Sequence, residues 1–133
     1  MTDKQSCACD AAPKLIFSCS GAADVGEIAD RAARILAREG YGNMFCLAGI
    51  GARISGFIKS AEAASDILAI DGCKLDCARK CLAEVGIIDI VYVRVTDHGF
   101  QKGMATASEE NIMKVVNICQ EASDSSVRHS QHK

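Results

Sequence analysis

The chain has 133 residues, 49% of them apolar and 24% charged, with a formal net charge of −2. That length and balance fit one globular domain with a real core. The charge offers no footprint for nucleic acid or an anionic membrane, and no apolar run reaches the roughly 20 residues of a transmembrane helix.

Residues 1–13 are small and polar, include Cys7 and Cys9, and end at the only proline, Pro13. They read as a flexible N-terminal segment without the basic and then apolar regions of a secretory signal. A cytoplasmic location is therefore expected, in which the 8 cysteines stay reduced. Metal ligation or reactive thiols then become the leading uses of cysteine, with plain burial as the alternative.

Residues 14–18 predict a first strand. A small-residue turn, Cys19 to Gly26, leads to a helix with Val25, Ile28, Ala29, Ala32, Ile35 and Leu36 on one face, closed by Gly40. Residues 43–48 predict a second strand, broken by Gly49-Ile50-Gly51. Ile54, Phe57, Ile58 and Ala61 give a second helix over about 53–64. Residues 66–71 predict a third strand, and a third helix over about 74–85 buries Leu75, Ala78, Leu82 and Val85 and stops at Gly86. Residues 88–95 predict the fourth strand and 96–107 a glycine-containing loop. A last helix begins near Ser108 with the stripe Ile112, Val115, Val116 and Cys119. Residues 122–133, which hold His129 and His132, read as a disordered tail, leaving 14–121 as a single domain.

Alternating strands and helices imply an α/β fold, a three-layer Rossmann-like or flavodoxin-like sandwich around a four-stranded, mainly parallel sheet. The expected order is 2-1-3-4. Ligands in such sheets sit beyond the carboxyl ends of the strands, where the winding reverses, here between strands 1 and 3. Cys19, Cys46 and Cys73 each follow a predicted strand and should meet at that edge.

Cys73, Cys77 and Cys81 advance only about 40° at each step of a helix, so they form one stripe. Cys77 lies about 120° from the predicted core stripe, whereas Cys81 lies only about 40° from Val85. Cys73 and Cys81 are also about 12 Å apart along the axis, against about 3.8 Å between sulfurs on a tetrahedral zinc. The preferred ligand set is therefore Cys19, Cys46, Cys73 and Cys77, with Cys81 behind them.

Cys19-Ser20-Gly21, Cys46-Leu47-Ala48-Gly49-Ile50-Gly51 and Asp71-Gly72-Cys73 with Cys77 and Cys81 together resemble the DGC-domain family, over about residues 14–100. The resemblance implies a small prokaryotic protein that binds zinc through the shared cysteines, with no settled activity. Two positions depart from the commonest family pattern. Ala22 stands where many members have another cysteine, and Lys74 where many have proline. The first departure removes a candidate ligand and leaves no C-x-x-C at the first strand.

Other residues carry less weight. Asp71 is either a turn residue or a group that orients a metal ligand. Asp97 and His98 end the fourth strand within possible reach of the site. Gly21, Gly26, Gly49 and Gly51 read as tight turns and match no phosphate-loop motif. The functional readings are thus a zinc protein, structural or metal-handling and sensing, with another soft metal or an iron–sulfur cluster as alternative occupants. The competing class is a thiol-dependent redox or transfer enzyme with Cys19 or Cys73 as nucleophile. Cys19 lacks the C-x5-R of a low-molecular-weight phosphatase, since position 25 is Val. The metal ion is the expected partner, with neither nucleic acid nor membrane.

Overall fold

The computed structural model describes residues 12–131. Strands β1 (Lys14–Ser18), β2 (Asn43–Met44), β3 (Asp66–Asp71) and β4 (Val91–Arg94) alternate with helices α1 (Asp24–Arg38), α2 (Leu47–Gly51), α3 (Ser55–Ala63), α4 (Cys77–Glu84) and α5 (Glu109–Gln131). The sheet is parallel throughout and its order is β2-β1-β3-β4, as the sequence implied. N-terminal Cys7 and Cys9, and His132, lie outside the described residues. No helix among the described residues is long and apolar enough to cross a membrane.

Strand alternation divides the core in two. Ile16 of β1 with Leu68 and Ile70 of β3 face α1 and α5, where Ile28, Leu36, Ile112 and Val116 cover them. Leu15 and Phe17 with Ile67 and Ala69 face the other way, onto Ile50, Ala61, Ala78 and Leu82 of α2, α3 and α4. Both faces are therefore dry, which is why β1 and β3 read as continuous apolar runs rather than as alternating ones.

Five local features differ from the sequence reading. The second strand is short: Asn43 and Met44 pair with β1, and Phe45 adds one backbone bond to Ile16. The chain then turns into α2 at a place expected to be a glycine break, because Gly49 lets the Phe57 ring pack directly on the helix backbone. A β-carbon at Gly49 would overlap that ring. The third helix starts at Cys77 rather than near 74, because Asp76 adopts a left-handed conformation (φ 56°) that interrupts it. Leu75, expected in the core, is consequently 59% exposed.

The fourth strand begins at Val91, and Val95–His98 form a 3-10 turn. Finally, α5 continues through the serine-rich stretch read as a tail, and Ser123 is buried.

Candidate functional site

The carboxyl edge of the sheet is built by three turns that bind one another through backbone groups. After β1, the Cys19 amide donates to the Ile70 carbonyl of β3 (3.1 Å). The Gly72 amide donates to Cys19 Sγ (3.3 Å), and the Thr96 amide donates to the Gly72 carbonyl (3.2 Å). Gly72 has to be glycine, since a β-carbon there would lie 2.7 Å from the Val25 carbonyl carbon at the start of α1.

Asp71 explains how α4 is held. Its carboxylate is buried and accepts the Ala78 amide (2.8 Å), the Arg79 amide (3.1 Å) and the Tyr92 hydroxyl (2.8 Å). It caps the first turn of α4 from a neighbouring strand, the work usually done by the residue just before a helix. The Tyr92 hydroxyl also lies 2.8 Å from Asp76, so its single proton serves one carboxylate at a time. Arg94 completes the cluster by donating to both Asp76 oxygens at 2.8 Å and to Asp97. The Arg94 hydrogen bond is the main cause that holds Asp76 down at about 2 against its burial. Burial, followed by hydrogen bonds to the two carboxylates, holds the Tyr92 proton in place well beyond the ordinary phenol range.

Beside this cluster lies a cleft of about 640 Å³ whose walls include Cys19, Cys46, Cys81, Gly51 and Arg34. Cys46 precedes α2 and is exposed; Cys19 and Cys81 are half-buried. Gly51 adjoins the Cys81 sulfur, which lies 3.8 Å from where a β-carbon would stand, an ordinary contact distance. The Arg34 side chain is engaged by Asp30 (2.8 Å), which also accepts the Ser20 hydroxyl (2.7 Å).

Burial raises the Cys19 thiol, opposed by the amides of Gly21 and Gly72; the negative charges of Asp71 and Cys77 push it further up. Burial also raises Cys81, helped by Cys77, Asp71 and Glu84. Cys77, the first residue of α4, is exposed and near enough to act on both. These groups disfavour one another's charged forms, and a cation would relieve that conflict.

The sequence-predicted residues thus separate. Cys19, Cys46 and Cys81 share the cleft and Cys77 adjoins it. Cys73 packs against the α1–α5 side of the sheet, Cys81 against the opposite side, and Cys19 touches both cores. Cys73 lines its own pocket, where Lys102 Nζ lies 3.5 Å from its sulfur. His98 lines a separate cavity with Met104 and Asn111 that contains none of the thiols, and Asp97 pairs with Arg94. Cys119 is a core residue on α5 whose thiol is pushed up to about 12 by burial.

Soft thiol donors suit zinc or another thiophilic ion. Among the described residues, however, no three His, Cys, Asp or Glu side chains are grouped closely enough to hold a metal as they stand. The donor chemistry fits, while closure around an ion requires movement of the turns.

Sequence reading overlooked Tyr92, Asp76, Arg94 and Lys102. Tyr92 and Arg94 carried a signal: they sit at i, i+2 on an apolar strand, so both present polar groups on one face. Lys102 in its loop carried none.

Comparison with known proteins agrees with this frame. The protein named anaerobic and virulence modulator AnvM, from Pseudomonas aeruginosa, is 33% identical to this chain over 88 residues, 66% of this chain and 67% of that one. No solved structure matches the chain. A family model described as the DGC domain matches residues 15–119. That span runs from β1 into α5 and takes in every strand and every thiol of the carboxyl edge, so the chain belongs to the DGC-domain family.

Proposed function

We propose that this protein binds a thiophilic metal ion, zinc first, in the cleft of Cys19, Cys46 and Cys81, with Cys77 drawn in as the site closes. The supporting observation is the presence of three thiols on one open cleft at the carboxyl edge of a parallel sheet. Zinc, when bound, supplies the positive charge that offsets the mutual repulsion of the thiolates. Cys19 would anchor the site from the sheet, Cys46 would close it from α2, and Cys81 would close it from α4.

The role that fits is metal handling or sensing, not structural stapling. The two cores are complete without an ion, and a site with exposed Cys46 and Cys77 favours exchange. AnvM is named a modulator, and a reversible ligand suits such a role. A nucleophilic role for Cys19 is disfavoured, since burial keeps its thiol protonated.

The test is elemental analysis with thiol titration of the full chain, purified anaerobically without added metal. About one zinc per chain is expected. No zinc, with the surface thiols all freely titratable, overturns the reading, and iron with sulfide would move the proposal to a cluster. Ligand choice is tested by metal titration of serine variants. Cys46→Ser and Cys81→Ser should weaken binding far more than Cys73→Ser. A titration in which Cys73→Ser weakens binding far more than Cys81→Ser would restore the set Cys19, Cys46, Cys73 and Cys77. Chelation should leave the far-UV circular dichroism intact, and a cooperative collapse would make the metal structural.

A further inference from the structure

Cys73 belongs to a second site. Its pocket, about 460 Å³, is lined by Cys73, Lys74, Leu75, Thr96, Phe100 and Lys102 and contains none of the cleft thiols. Lys102 Nζ lies 3.5 Å from Cys73 Sγ, and no carboxylate pairs with it among the described residues. The loop that carries it is fixed. Gly99 and Gly103 take left-handed conformations on either side (φ 88° and 89°), and Asp24 accepts the amides of Gly103 and Ala105 at 3.0 Å.

A second observation points to a ligand. The Thr96 hydroxyl oxygen is buried and has no hydrogen-bond partner among the described residues, although Thr96 is on the pocket wall. An orphan buried hydroxyl is costly, and it would reach an acceptor atom of a bound molecule only once the pocket wall shifts to uncover it. The pocket therefore combines two ammonium groups, an unused hydroxyl, an apolar wall from Phe100 and Leu75, and a thiol. It is built for a small molecule with an anionic end and a sulfur-reactive centre.

We propose that Cys73 is a modification site for anionic low-molecular-weight disulfides. Lys102 and Lys74 hold the anionic end, and the Cys73 sulfur attacks the nearer sulfur of the disulfide. A Cys73–sulfur bond forms as the ligand's S–S bond breaks, and the bonding pair leaves on the second sulfur as a thiolate. The Cys73 proton goes to water, so the exchange needs no other oxidant. The product is a mixed disulfide on the α1–α5 side of the sheet. The proposal stands independently of whether the opposite cleft takes metal.

The experiment compares two probes on the full chain, dithiobis(nitrobenzoate), which is anionic, and dithiodipyridine, which is neutral. Quenched samples are read site by site by peptide mass spectrometry. Relative to the neutral probe, the anionic one should react at Cys73 about tenfold more readily than at exposed Cys77. Lys102→Met should remove most of that preference at Cys73 while leaving the neutral rate within about twofold, and Lys102→Arg should restore it. The proposal is overturned if Cys73 shows no preference for the anionic probe over Cys77. It is equally overturned if Lys102→Met slows both probes alike, because the lysine would then support the loop and not recognise charge.

Discussion

Replacing Asp71 with alanine should loosen the thiol cleft by uncapping the helix that carries Cys77 and Cys81. The carboxylate accepts two amides at the start of α4 and the Tyr92 hydroxyl, all between 2.8 and 3.1 Å. Ala78 is fully buried, so its amide is left without a ready water partner. Loss of a helix cap costs about 1 kcal/mol, and an amide stripped of a charged acceptor costs about 1.5–3 kcal/mol. Tyr92 keeps Asp76, and removal of a buried charge returns some of the loss, which places the net effect at about 3 kcal/mol. A chain of this length has roughly 7–20 kcal/mol in hand, so the variant should fold. Urea unfolding measures the loss, and hydrogen exchange at Ala78 and Arg79, with labelling at Cys81, measures the loosening. A loss below about 1 kcal/mol with unchanged exchange at both amides would refute the capping role.

The remaining predictions concern the same edge. Asp76 has a depressed pKa of about 2 against 3.8, so its contribution is fully present above 3.8 and is lost as pH falls towards 2. Melting temperature across that acid range should fall less steeply in Arg94→Met, and superimposable curves would contradict the Asp76–Arg94 link. Gly72→Ala drives a β-carbon into the backbone of Val25 and Gly26 and should cost about 1–3 kcal/mol. Its control is Gly56→Ala on α3, where nothing lies within 4 Å and the change should be neutral or stabilising. Equal melting temperatures for these two variants would show that the close approach is not limiting.

The sheet was legible because its determinants are local and repeated. Runs such as Leu15-Ile16-Phe17 and Ile67 to Ile70 are buried on both faces, and the intervening apolar stripes have helical spacing. Crossover handedness restricts the possible strand orders, and 2-1-3-4 is one doubly wound arrangement that satisfies it. Two of the features that misled were tertiary. The five-residue α2 contains Gly49 and Gly51, poor helix formers, and its packing on Phe57 is invisible to propensity. Left-handed Asp76 splits residues 73–76 from α4, so a continuous stripe through Cys73, Cys77 and Cys81 does not exist. Sequence spacing could therefore gather the thiols at one edge but could not distribute them between the faces of the sheet. That distribution depends on where the chain turns between Gly72 and Cys77, which Asp71 sets through contacts distant in sequence.

The position of β1 has a consequence for how the protein is made. Among the described strands it is the first to be synthesised, yet it is central, and both of its partners come later. Cys19 emerges early, but its amide partner Gly72 lies 53 residues downstream. At roughly 5–20 residues per second, that interval lasts about 3–10 s. During translation this thiol is thus an open, unsheltered group on a nascent chain, and it gains its neighbours only when β3 arrives. An oxidant met in that interval would reach Cys19 before the fold half-buries it.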